Sequence, residues 1–161
     1  MARLGNDIEV DVVTDGSTDA TELDAPGYNA FVADLNLANV ELISVHGERI
    51  AAGQVEQTRF DLTAGYMTDA GVVRFRYEVS AHLTDGAGVA LGSAGAAILV
   101  TVRTTREPGR AYIEQFGATS GALIAHPYLR EAVASTAQRI GFPGVLLPMV
   151  QHQPLSETEE D

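Results

Sequence analysis

From Val73 to Leu83 the chain alternates without a break: Val73, Phe75, Tyr77, Val79 and Ala81 are apolar, and Arg74, Arg76, Glu78 and Ser80 between them are polar. Successive side chains of a strand point to opposite faces, so this stretch reads as a strand with one face on a core and the other in water. The same period recurs on both sides of it. Gln57 to Met67 places Phe60, Leu62, Ala64 and Tyr66 on one face. Phe31 to Val45 carries Leu35, Leu37, Val40, Leu42 and Val45, with one break near Ala38-Asn39 that suits a β-bulge. Val89 to Thr105 reads as a further strand, in which Gly92 and Gly95 mark a bend or a close backbone approach. Asp69-Ala70-Gly71 and Asp85-Gly86-Ala87-Gly88 are turn signals that join neighbouring strands as hairpins.

After Glu107-Pro108-Gly109 the period becomes helical. Arg110 to Ala118 is a short helix candidate. Pro127 suits the first turn of a second, longer helix, where its missing N–H costs nothing. Leu129, Val133, Thr136 and Ile140 share one face of it, with Ala132 and Ala137 beside them. Gly141 suits its C-terminal cap, and Pro143 stops continuation. That Ala-rich face could pack on another helix or on the chain's own sheet. The pattern predicts an α+β fold, a four-stranded antiparallel sheet with a short helix and then a long C-terminal one.

Length and charge narrow the function. At 161 residues the chain is long enough for one domain with a real core. Residues 1–27 carry Asp7, Glu9, Asp11, Asp15, Asp19, Glu22 and Asp24 and read as an acidic, solvated arm, with a short strand around Ile8, Val10 and Val12. Residues 28–150 form the folded domain, and 151–161 an acidic disordered tail ending in Glu157, Glu159, Glu160 and Asp161. The net charge of −12 makes nucleic acid and anionic membrane poor partners, because both are bound through clustered cations. With no Cys, thiol catalysis and Cys-based zinc sites are excluded. No apolar signal region opens the chain and no apolar run approaches the ~18 residues of a membrane span. A cytoplasmic protein without membrane insertion is expected.

No catalytic constellation emerges, and a non-enzyme is expected. The four histidines, His46, His82, His126 and His152, have no ligand spacing, so no metal is expected. His126, Arg130 and Glu131 could be drawn as a catalytic trio, but adjacent Arg130 and Glu131 do not share a helix face, and pairing across a helix interface suits them better. No G-x-S-x-G occurs, and the glycines at 86, 88, 92 and 95 lack the lysine and the strand-to-helix switch of a phosphate loop, so no ATP site or other cofactor is expected. What remains is apolar surface. One sheet with two modest helices covers only one sheet face, while Phe60, Leu62, Tyr66, Phe75, Tyr77, Phe142, Leu146 and Leu147 offer more large apolar side chains than one small core needs. They either fill that core or partly line a groove for extended polypeptide.

The segment Pro127-Tyr128-Leu129-Arg130-Glu131, then Gly141-Phe142-Pro143, then Val145 to Pro148, resembles the C-terminal half of the SecB export-chaperone family. There a Pro-Tyr-x-Arg-Glu motif, a Gly/Thr-Phe-Pro at the helix end and a Leu-x-Leu-x-Pro-like run follow one another. The resemblance extends from about Val55 to Val150, with Arg59-Phe60-Asp61-Leu62 and Tyr77-Glu78-Val79 in place of similar family strands. It departs in three places. His126 stands where the family has Phe, the chain after Pro148 lacks the family's Asn-Phe-Asp motif and terminal helix, and acidic residues on the sheet are sparse. Divergent SecB-like proteins also protect toxin–antitoxin pairs by holding an aggregation-prone antitoxin tail.

The resemblance implies an ATP-independent holdase whose clients are unfolded exported proteins or one antitoxin. It implies a homotetramer, a dimer of dimers, with the long helix between dimers through Tyr128, Leu129, Val133, Thr136, Ala137 and Ile140. It places Phe60, Leu62, Tyr66, Phe142 and Leu146 in or near the client groove. It places Glu78, Leu83 and Asp85 on the surface that meets the SecA motor. The alternative is a non-catalytic adaptor of the same fold that docks folded partners through its acidic surface.

Overall fold

The computed structural model describes residues 23–149 and the backbone of a separate strand, Glu9–Val12. In chain order the elements are β1 (Glu9–Val12), α1 (Ala25–Asp34), β2 (Asn36–Arg49), β3 (Gln57–Asp69), β4 (Val72–Thr84), β5 (Ala90–Arg103), α2 (Arg110–Phe116), a π-helical turn (Gly117–Gly121) and α3 (Ala122–Arg139). The strands form one five-stranded sheet in the order β1-β3-β4-β5-β2. β2 to β5 are mutually antiparallel, as the alternation predicts, and β1 adds in parallel on the outer side of β3. The expected tail, 151–161, and most of the expected arm lie outside the described residues; within the arm the strand expected near Ile8 to Val12 is present as β1.

The sheet is assembled from tight hairpins. Ala70 (φ 35°) and Gly71 (φ 79°) join β3 to β4 in a turn with both central residues left-handed, the geometry that matches strand twist. Asp85 organises the β4–β5 turn by accepting the N–H groups of Ala87 (2.9 Å) and Val89 (2.8 Å) on its carboxylate. β2 has two bulges, one at the expected place between Leu37 and Asn39 and a second between Leu42 and Ser44.

The strand expected to begin at Phe31 begins later, because Phe31 to Asp34 are the end of α1. Local chemistry starts that helix. Asp24 caps it by accepting the Gly27 N–H (2.8 Å), and Pro26 sits in the first turn. Phe31 then stacks on Tyr112 (ring centroids 5.9 Å) and meets Phe116 edge-on (6.3 Å), tying α1 to α2. At the other end the Asp34 carboxylate accepts from Thr104 Oγ1 (2.6 Å) and the Thr105 N–H (2.8 Å). Those bonds, Thr104 first and then Thr105, hold its pKa down at about 2.

Helices cover one sheet face. On β4 the residues Val73, Phe75, Tyr77, Val79, Ala81 and Leu83 are buried, and their partners Ile98, Val100 and Val102 on β5 are buried with them. The opposite face is wet, with Arg76 paired to Glu78 (2.7 Å) and Asp61 paired to both Arg59 (3.2 Å) and His82 (2.9 Å). α2, the π turn and α3 run on from one another, since the residues at both junctions keep right-handed helical angles. Pro127 is therefore inside α3, not in its first turn as its chemistry suggests. An interior proline costs about 3 kcal/mol. Burial of Leu129 and Val133, each returning roughly 1.5–3 kcal/mol, offsets that cost, and Ala125, Ala132, Thr136 and Ala137 are buried beside them. The π turn has a partner in the sheet: the Tyr77 hydroxyl donates to the Gly117 carbonyl (2.7 Å), and a side chain on Gly121 would collide with that hydroxyl.

α3 ends as predicted at Gly141 (φ 93°). The Gly141 N–H bonds to Gln138 O (3.0 Å) and the Phe142 N–H to Ala137 O (2.8 Å), a Schellman cap. Arg49 reaches Ile140 O (3.4 Å) and lies over the Phe142 ring (5.1 Å), a cation placed where the helix C-terminus favours one.

Candidate client-binding surface

The register that buries β4 also fixes what its neighbours present. Phe60, Leu62, Ala64 and Tyr66 pair with Ala81, Val79, Tyr77 and Phe75, so all four lie on the helix-covered face of β3. The helices stop short of that strand. α3 packs on β5, β2 and β4, and the helical run meets β3 mainly at the π turn. Burial falls off along the row: Phe60 is buried, Leu62 and Ala64 are half-buried, and Tyr66 is 37% exposed. Tyr66 contacts the Phe75 ring (6.3 Å), and its pKa is raised, first by burial and then by the Glu114 carboxylate, with Arg110 opposing. Glu114 itself pairs with Arg110 (2.7 Å) along α2. The result is an apolar strip at the sheet margin, floored by β3 and walled by a helix carrying a charged pair.

Three of the five expected groove residues, Phe60, Leu62 and Tyr66, are brought together in this strip. Phe142 is elsewhere: it is buried over Gly92 of β5 and beneath Arg49, and completes the core. Leu146 projects to solvent between buried Val145 and Leu147.

The residues expected on a partner surface divide similarly. Leu83 is fully buried, because its register on β4 belongs to the core face, so it is not available to a partner. Asp85 is committed to its turn through Ala87 and Val89. Glu78 remains on the wet face, paired with Arg76. Of the residues expected between dimers, Leu129, Val133, Thr136 and Ala137 are buried against the chain's own sheet. Of the two packing choices open to that helix face, the sheet is the one taken. Tyr128 is exposed and Ile140 half-buried, and Arg130 holds Nη1 buried with no hydrogen-bond partner among the described residues. The trio drawn around His126 does not assemble through that ring, whose Nε2 lies 2.7 Å from Pro148 O.

A second apolar strip escaped sequence reasoning. Leu37, Leu42 and Val45 of β2 pair with Val102, Ile98 and Ala96, so they too lie on the helix side, yet they are 54%, 51% and 47% exposed. α3 covers β2 near Gly47, where an added side chain would strike Thr136. Their alternation was legible; that β2 is the outermost strand was not.

Among the described residues no group of three or more His, Asp or Glu is placed to hold a metal ion, and no helix is long and apolar enough to cross a membrane.

No protein-family profile matches the chain, and no curated protein matches it. Among solved structures it is similar to the Mycobacterium tuberculosis Rv1957 SecB-like chaperone, in complex with a ChAD peptide from the Rv1956 HigA1 antitoxin, with a TM-score of 0.64 and 17% identity, covering 78% of this chain and 98% of that one. A Streptococcus agalactiae protein of unknown function is matched at a TM-score of 0.36 and 14% identity over 71% of this chain and 97% of that one, too low to carry an argument.

Proposed function

We propose that this chain, whose α+β fold is SecB-like, is an ATP-independent holdase that keeps polypeptide unfolded by binding it in extended form. The observation that carries the reading is the β3 strip, where Phe60, Leu62, Ala64 and Tyr66 continue the core out to a sheet margin that the helices leave partly uncovered. Soluble proteins rarely keep such surface without a partner, and an extended chain can fill it with alternate side chains while its backbone adds to the sheet. The client is a preprotein bound for export or a dedicated antitoxin. The similar mycobacterial chaperone, solved with an antitoxin peptide, supports the second choice.

A homo-oligomer belongs to the same proposal. β2 is a 14-residue outer strand with no strand beyond it among the described residues, and its Leu37, Leu42 and Val45 are exposed. A second copy pairing there would cover them. A further contact through the exposed Tyr128 would join such dimers in pairs.

Light scattering of a preprotein diluted from denaturant, with and without the protein and without ATP, tests the holdase. Suppression at near-stoichiometric ratio, with a complex on gel filtration, is the expected result; aggregation at the unassisted rate rejects general holding. Phe60 is too buried to probe the surface cleanly, because an aspartate there would unfold the core. Tyr66→Asp is the informative variant. The adaptor reading rests on the wet face, where Arg59, Asp61, His82, Arg76 and Glu78 present mixed charge to a folded partner. It predicts binding that survives Tyr66→Asp and weakens with salt.

A further inference from the structure

The margin of β3 is not empty. Residues Glu9–Val12 pair with it in parallel, Glu9 with Asp61, Val10 with Leu62, Asp11 with Thr63 and Val12 with Ala64. They take the backbone positions at the middle of the strip that a client strand would use. We propose that β1 is a built-in competitor: the chain's own N-terminal strand occupies the β3 edge as a pseudo-client and is displaced when an extended client adds there. This rests on the holdase reading and names how that site is regulated.

Two features suit a displaceable strand. It is short, with four residues against the thirteen of β3, so a longer client strand gains hydrogen bonds that β1 leaves unmade. It is parallel where every other pairing in the sheet is antiparallel, and parallel ladders are slightly weaker per residue. Yet it is tethered. The Tyr112 hydroxyl donates to the Asp24 carboxylate and fixes the start of α1 to α2. A strand that is covalently part of the chain it pairs with meets that edge at a higher effective concentration than a separate chain does. A weak strand so held closes the edge against casual partners and yields to a client with several apolar residues in register.

The test uses the full chain and the variant Val10→Pro/Asp11→Pro. Adjacent N–H groups of a strand point alternately to its two sides, so one of the two prolines must remove a hydrogen bond to β3. Amide hydrogen exchange reports β3 docking directly, and anisotropy of labelled, reduced and carboxymethylated α-lactalbumin reports binding of a permanently unfolded probe. The expected result is lost protection confined to Asp61–Ala64, unchanged protection in β4 and β5, and probe binding about tenfold tighter, as when a competitor filling about nine-tenths of sites is removed. Equal or weaker probe binding by a variant whose β3 edge has opened overturns the competitor role while leaving the holdase reading intact. Unchanged protection at Asp61–Ala64 overturns the docking itself. Failure of both proteins to bind the probe overturns the holdase reading, and the competitor role falls with it.

Discussion

The two margins of the sheet are built alike and finished differently. Each outer antiparallel strand carries an apolar row on the helix side, Leu62 to Tyr66 on β3 and Leu37 to Val45 on β2. At β3 the backbone is met by β1 and the row is overhung by the π turn. At β2 no strand follows among the described residues, and the row stands about half exposed along most of its length. An open edge is a template for pairing with another chain, and proteins that keep one either cover it or use it. On the proposed reading the guarded edge takes a transient, extended client and the bare edge a permanent partner, a second copy.

The largest expected effect lies between the margins and should abolish the difference. Phe75 sits under the helices beside Tyr66 and Phe116, and Phe75→Ala should cost about 3–5 kcal/mol in urea unfolding, taking both edges down together. A double dissociation follows in size. Leu42→Asp should convert the proposed oligomer to a smaller species on analytical ultracentrifugation and leave the proposed client holding per chain intact, whereas Tyr66→Asp should weaken client binding by about tenfold, or about 1.4 kcal/mol, without changing the species on ultracentrifugation. The same outcome from both variants would merge the two edges into one site.

Asp34 tests the anchoring of α1, which precedes the bare strand. Its pKa is depressed to about 2 by Thr104 and Thr105, so the stability it contributes is fully present above the unfolded carboxylate value and disappears as pH falls toward about 2. Thermal unfolding of Asp34→Asn should lie furthest below the parent above pH 4, the two curves converging as pH approaches 2. The smallest effect belongs to the wet face. Arg76 and Glu78 are exposed, so Glu78→Gln should change stability by less than about 1 kcal/mol and leave both edges unaffected.

Much of this architecture was legible because strand and helix periods are local. The alternation at Val73–Leu83, the turn at Ala70-Gly71, the bulge near Ala38 and the glycine cap at 141 each follow from residues within a few positions. Errors arose where a local preference met a distant partner. Phe31 alternates like a strand residue but is buried by Tyr112 and Phe116 from a helix some eighty positions away. Pro127 has the chemistry of a helix start but is carried inside α3, because the buried face around it is worth more than its lost hydrogen bond. For the candidate site, the sequence showed which residues alternate together and so grouped Phe60, Leu62 and Tyr66 on one face; the row at Leu37, Leu42 and Val45 alternates equally, and nothing local to it signals that it stays exposed.

By itself the sequence determined the four long strands, the hairpins that join β3, β4 and β5, the C-terminal helical stretch with its glycine cap, and the face on which each strand carries its apolar side chains, since period, turn chemistry and caps act over a few residues. Only the tertiary structure decided which strands are outermost, that β1 closes one edge and nothing described closes the other, and that the Leu129–Ala137 face packs on the sheet. The physical reason is that an apolar side chain looks the same in the sequence whether a helix covers it or not, and coverage is set by contacts between segments far apart along the chain.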